Sequence, residues 1–211
     1  MTFLVLLCAE PGCIGSFSSS RPPEYFQLDY AARSSSCTDS LPGAVRVWAF
    51  SAAAPFDSEQ MVMIDEARQV RFSSHYHWVA TPGDMLADKL IRDLSSTHLF
   101  EDAVPVGSPV STTYAMSGNI YRFALEKSGS ESNSVLDLEI SLWQEEPARA
   151  VLFRKHYHYQ SPPIRSTDPD DYARAMAEAV SRLSYDLRND LCIAIQDSLH
   201  RAVGSRIQPG A

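Results

Sequence analysis

Two His-Tyr-His elements are the residues most able to do chemistry: His75-Tyr76-His77 and His156-Tyr157-His158. Residues i and i+2 lie on one face of a strand. If the two strands were neighbours, four imidazoles would converge and could hold a zinc ion. A metal-dependent enzyme would follow. Carboxylates at ligand spacing are lacking beside them, and a solvated strand face rich in Tyr and His accounts for the same residues. Glu145-Glu146 is an acidic pair at a strand end, explained by solvation more simply than by general acid–base work. Asp168, Asp170 and Asp171 carry the charge for calcium, but a helix start explains them. The chain has no Gly-x-Ser-x-Gly elbow, P-loop or His-Glu-x-x-His. No catalytic residue and no cofactor are assigned.

The cysteines are Cys8, Cys13, Cys37 and Cys192, with no CxxC pair among them. A zinc knuckle or thioredoxin-like centre is therefore not indicated. Cys192 sits in a helical stripe and reads as packed or disulfide-bonded. A Cys37–Cys192 bond would need an oxidising compartment. Cys13 follows Gly12 at the end of the apolar run Phe3-Leu4-Val5-Leu6-Leu7-Cys8-Ala9. The pattern fits export followed by lipidation at Cys13, and two acyl chains would supply stable anchoring. A buried first strand carrying two free thiols fits the run as well.

Elements must position these residues. The sequence divides into a signal or lipobox-like segment over 1–13, a Ser- and Pro-bearing tether over 14–23, one domain over 24–205 and a tail over 206–211. A ten-residue tether reaches about 30 Å when extended. Period-two alternation predicts strands near 24–30, 45–51, 61–64, 70–79, 113–126, 135–143 and 150–159. The segment 101–112 reads as turns, and 127–134 as a polar loop joining a hairpin. Thr81-Pro82-Gly83-Asp84 begins a helix with a cap, a proline and an acid in order. Its apolar stripe is Leu86, Leu90, Ile91 and Leu94. Asp168-Pro169-Asp170-Asp171 begins a second helix, whose stripe runs from Tyr172 through Leu199 to about Arg201. The expected fold is α+β: a mixed or antiparallel sheet of about five to six strands with two main helices, the second long and C-terminal.

Composition narrows the function. The chain has 211 residues, 45% hydrophobic and 21% charged, which are globular values. Acids outnumber bases 26 to 18, and the formal charge of −8 argues against nucleic acid as a partner. No apolar run reaches the roughly 20 residues of a spanning helix. Charge would not hold the domain on anionic headgroups, so attachment to a membrane would rest on Cys13.

The order of segments resembles the ABC-type transport auxiliary lipoprotein family, which includes PqiC-like lipoproteins. The matching residues are Gly12-Cys13, Tyr25-Phe26-Gln27-Leu28-Asp29, Val45-Arg46-Val47 and Met61-Val62-Met63-Ile64. Tyr76-His77-Trp78-Val79-Ala80-Thr81-Pro82, Met85-Leu86-Ala87-Asp88-Lys89-Leu90, Leu99-Phe100 and Tyr121-Arg122-Phe123 follow, and the long terminal helix completes the series. The resemblance implies a non-catalytic, lipid-anchored domain facing the periplasm of a Gram-negative bacterium. Its implied partners are an MCE-domain protein and an ABC transporter permease and ATPase, moving lipids or other apolar molecules. Ile14 after Cys13, in place of Asp, implies the outer membrane. The implied working surface is a protein interface, expected near Tyr157 and Tyr159, since aromatics are favoured at interface cores. Oligomeric state stays open. Two other readings stand beside it: the His-rich metal enzyme, and a soluble binder of apolar ligands without a transporter.

Overall fold

The structure is a computed structural model describing residues 21–34, 37, 39–145, 150–165 and 168–206, with side chains through Gln196. Cys8, Cys13 and the first part of the tether lie outside the described residues. The order of elements is β1 (Glu24–Phe26), β2 (Val45–Val47), β3 (Ser51–Ala52), β4 (Gln60–Ile64), β5 (Val70–Trp78), α1 (Pro82–Ser95), β6 (Ala103–Pro105), β7 (Tyr114–Ser128), β8 (Glu131–Gln144), β9 (Ala150–Gln160) and α2 (Pro169–Arg206).

The fold is α+β, with a mixed sheet and a long last helix. Among the described residues the sheet has nine strands rather than five or six. Two of the extra strands are short. β6 lies inside the segment read as turns. It spans three residues and ends at Pro105, too little for alternation to register. The predicted strand 45–51 divides into β2 and β3, and between them the Phe50 amide donates to the Gly83 carbonyl of α1 at 3.3 Å. The predicted polar loop 127–134 is instead a tight turn. β7 and β8 stay paired to Ser128↔Glu131, and Gly129 takes a φ of 61° between them. Glycine adopts this left-handed conformation without Cβ strain.

β7 is the spine. One edge pairs along its whole length with β8, antiparallel, and β8 pairs in turn with β9. The other edge takes β2, β3 and β4 one after another, all parallel. β5 joins β4, and β1 closes that side parallel to β5.

Both helix starts follow from the sequence. Thr81 caps α1, its hydroxyl accepting from the Asp84 amide at 3.3 Å. The Asp168 carboxylate accepts from the Asp170 amide at 3.0 Å, with Pro169 at the first helical position of α2. Leu86, Leu90 and Leu94 of α1, and Met176, Val180, Leu183, Leu187 and Leu191 of α2, are all buried. The α2 residues cover the inner face of β8, with Leu136, Leu138, Ile140 and Leu142, and the α1 leucines belong to the same core.

Two close approaches fix α1. Gly83 sits where a Cβ would lie 2.0 Å from the Phe50 carbonyl oxygen. Gly118 of β7 sits where a Cβ would lie 2.5 Å from the Phe50 ring. Phe50 is thus a wedge between the helix and the spine. Deeper in, Asp93 of α1 is 0% exposed. It accepts from the Ser184 hydroxyl of α2 at 2.6 Å, the Tyr30 hydroxyl at 2.8 Å and Arg92 Nε at 2.8 Å. A buried carboxylate is tolerated only with such partners. Burial, then the Asp93 charge, push the Tyr30 phenol well above its ordinary range.

Candidate functional site

The two His pairs do not come together. β5 and β9 are separated by β4, β7 and β8. At about 4.8 Å per strand, four steps put them roughly 19 Å apart along the sheet. The four-imidazole centre of His75, His77, His156 and His158 is therefore not formed. Among the described residues no group of three or more His, Cys, Asp or Glu is arranged to hold a metal ion. Strand periodicity places His156 and His158 on one face, as their shared partner Asp137 shows, but β5 breaks register between Phe72 and His77, and strand order is a nonlocal property.

Each pair has another role. His77 stacks obliquely on Tyr25 of β1, ring centroids 5.7 Å apart. His75 Nδ1 is buried and has no hydrogen-bond partner among the described residues. His156 Nε2 and His158 Nδ1 both bond the Asp137 carboxylate of β8, the second at 3.0 Å. The register explains this, for Asp137 lies opposite His158 and Glu139 opposite His156. Burial raises the Asp137 carboxyl, but the hydrogen bonds and charges of His156 and His158 outweigh it and hold it below the usual carboxylate range.

Tyr157 and Tyr159 are placed differently from the interface expectation. Their faces turn inward, onto α2. Tyr157 is buried, and the two rings stack 6.3 Å apart. Tyr157 donates to Asp190 at 2.8 Å, and Tyr159 donates to Asp186 at 2.8 Å. Lys155 adds a 2.7 Å contact to Asp190. The geometry matches because i,i+2 on a strand spans about 6.7 Å and i,i+4 on a helix about 6.0 Å. Burial first, then the paired aspartates, push both phenols far above their ordinary range. Sequence reasoning missed Asp186 and Asp190. The Asp-x-x-x-Asp spacing beside a Tyr-x-Tyr strand was the available signal.

The solvent side of β7, β8 and β9 is one of the exposed surfaces of the domain. It carries the His156–Asp137–His158 cluster and Tyr121. Tyr121 is the unopposed residue of a bulge, since Ile120 pairs Leu138 and Arg122 pairs the next residue, Asp137. It is 46% exposed and meets the His156 ring edge-on at 5.8 Å. Val151 is 61% exposed on the same side. Bulges re-aim side chains in this way.

Cys37 and Cys192 are joined, with Cα atoms 5.9 Å apart. The bond pins the segment before β2 to α2. Two hydrogen bonds reinforce it: buried Arg188 to the Arg33 carbonyl, and Gln196 to Asp39 at 2.8 Å. No described helix is long and apolar enough to cross a membrane.

This architecture has solved counterparts. Protein XCC0632 from Xanthomonas campestris, a DUF330 protein, superposes with a TM-score of 0.73 at 17% identity, covering 84% of this chain and 99% of its own. An uncharacterized protein gives 0.62 at 14% identity, covering 81% and 99%. Hypothetical protein CT253 from Chlamydia trachomatis gives 0.51 at 8% identity, covering 74% and 98%. At these identities the likeness defines the class of fold: a spine-centred mixed sheet backed by a long terminal helix. None of the curated proteins matches the chain. Residues 26–187 match the family model of the ABC-type transport auxiliary lipoprotein component, and the chain belongs to that family.

Proposed function

We propose that this chain is the lipid-anchored, non-catalytic adaptor of an ABC-type transport system, working with an MCE-domain protein and the permease and ATPase to move lipids or other apolar molecules. The observation that carries this reading is the family match over 26–187, from the end of β1 through the first half of α2. Anchoring is assigned to Cys13, and the site to the periplasmic side of the outer membrane. The Cys37–Cys192 bond supports an oxidising compartment of that kind. The partner surface is assigned to the solvent side of β7–β9, around Tyr121 and Val151, where exposed aromatic and aliphatic groups lie beside satisfied polar ones.

Fatty-acid labelling of the wild type and Cys13→Ala tests the anchor, with label expected in the first alone. Affinity capture from membranes holding the system tests the adaptor role. Recovery of an MCE-domain protein is expected, and Tyr121→Asp should reduce it. Label retained in Cys13→Ala, or capture without any transporter component, removes the corresponding half of the reading.

A further inference from the structure

Where β9 ends at Gln160, the chain does not leave the sheet at once. Ile164 and Ser132 exchange two backbone hydrogen bonds, at 2.7 and 3.0 Å, with Pro162 and Pro163 just before them. Prolines fix φ, so this segment is a stiff wall. It faces the first half of α2, and the space between is a cleft of about 460 Å³. That volume lies within the roughly 300–1,000 Å³ of small-molecule pockets.

The lining is two-part. Ile164, Ala175 and the Tyr159 ring give it an apolar interior. Arg165, Arg174 and Arg182 also line it, against the carboxylates of Asp171 and Glu178. A chain of formal charge −8 thus carries a local surplus of positive charge at one apolar cleft. The arginines are held by exposed pairs: Arg174 to Asp171 at 2.8 Å, Arg182 to Glu178 at 3.1 Å and Arg165 to Glu131 at 3.0 Å. Glu178 also meets Arg33. Exposed pairs of this kind are worth about 0–1 kcal/mol, so an incoming anion can exchange with them at small cost. A guanidinium meets carboxylate or phosphate with two parallel hydrogen bonds.

We propose that this cleft binds an anionic amphiphile: an apolar chain seated between Ile164 and Ala175, with one carboxylate or phosphate head held at the rim that Arg165, Arg174 and Arg182 line. The proposal deepens the transport reading by naming a cargo class, and rests on it only for its use in the cell. Binding itself is measured without a transporter.

The test is calorimetric titration of the purified full chain, below micellar concentrations, with oleate, with oleoyl lysophosphatidylglycerol and with neutral monoolein. Saturable one-to-one binding of an anionic probe is expected, at least about tenfold tighter than monoolein. Which anionic probe binds identifies the head. Arg174→Glu with Arg182→Glu, both at exposed positions, should weaken it by about tenfold or more. Ala175→Trp should abolish it by filling the cleft. If Ala175→Trp loses its circular dichroism, the charge-reversal pair carries the test alone. Absence of saturable binding overturns the proposal, as does equal affinity for monoolein or for the charge-reversed chain. A protein that captures transporter components but binds no amphiphile keeps its adaptor role and loses this site.

Discussion

The Tyr157 hydroxyl donates to Asp190 at 2.8 Å, and this contact ties the last strand to the last helix. Its neighbour Tyr159 repeats it one helical turn earlier, on Asp186. The pair makes β9 and α2 one unit. A partner bound on the outer face of β9 would therefore be coupled to the helix beneath it.

Removing these hydroxyls should cost stability and leave the outer face intact. Hydrogen bonds to charged groups contribute about 1.5–3 kcal/mol each. Tyr157→Phe with Tyr159→Phe should lower the urea midpoint accordingly, with partner capture retained in the folded protein. An unchanged midpoint would show that the contacts contribute nothing.

Alkaline pH should find the same residues. The folded phenols of Tyr157 and Tyr159 are raised, so their stabilisation is present below the ordinary phenol value of about 10 and is lost as pH rises through the folded values. Tyr30, Tyr114 and Tyr172 are raised as well, burial being the first cause in each. Tyrosinate absorbance should therefore rise in two stages, the later one coinciding with unfolding. A single early stage covering all 9 tyrosines would contradict the burial pattern.

At the acid end the sign reverses. The Asp137 carboxyl is lowered in the fold, so its contribution is present above the ordinary carboxylate value and is lost as pH falls through the folded one. Asp137→Asn should flatten the acid limb of the stability curve and change little at neutral pH beyond a constant offset. An acid limb identical in the two proteins would contradict it.

The Phe50 wedge allows no side chain at Gly83. A Cβ there meets backbone, which cannot swing aside. Gly83→Ala should destabilise by about 1–3 kcal/mol, the usual cost of overpacking. Gly107 has open space around it, but its φ of 87° strains any L side chain, so it serves poorly as a control. Exposed Asp88 of α1, substituted by Ala, is the better one, and equal melting temperatures for both variants would sink the wedge.

Reduction should loosen the segment before β2. The closed loop is long, with a separation of 155 residues, and native disulfides contribute roughly 2–5 kcal/mol. Cys37→Ser with Cys192→Ser should lower the thermal midpoint, with hydrogen exchange rising first near Arg33 and Asp39. Exchange unchanged there would mean that Arg188 and Gln196 suffice.

What was legible in the sequence was local. Thr81-Pro82 and Asp168-Pro169 marked both helix starts because caps act over three residues. The Leu183–Leu187–Leu191 stripe marked a buried helix face because its period is intrinsic. Alternation in β7 and β8 marked the hairpin. What was not legible depends on residues far apart. Period two gives β9 two faces but does not say that α2 covers Tyr157 and leaves His156 outside. Nor does it say that three strands separate His75 from His156. Phe50 looked like a strand residue, and its meaning lies in Gly83 and Gly118. β6 was too short for any period to show.

Quantitative capture from membranes tests the adaptor assignment most directly. The full chain, tagged at its C-terminus and crosslinked in membranes that hold an ABC transport system with an MCE-domain protein, is recovered and its partners are identified by mass spectrometry. Stoichiometric enrichment of the MCE-domain protein, lost with Tyr121→Asp and Val151→Asp in a chain that still folds, is the expected result. Recovery of no transporter component from those membranes contradicts it.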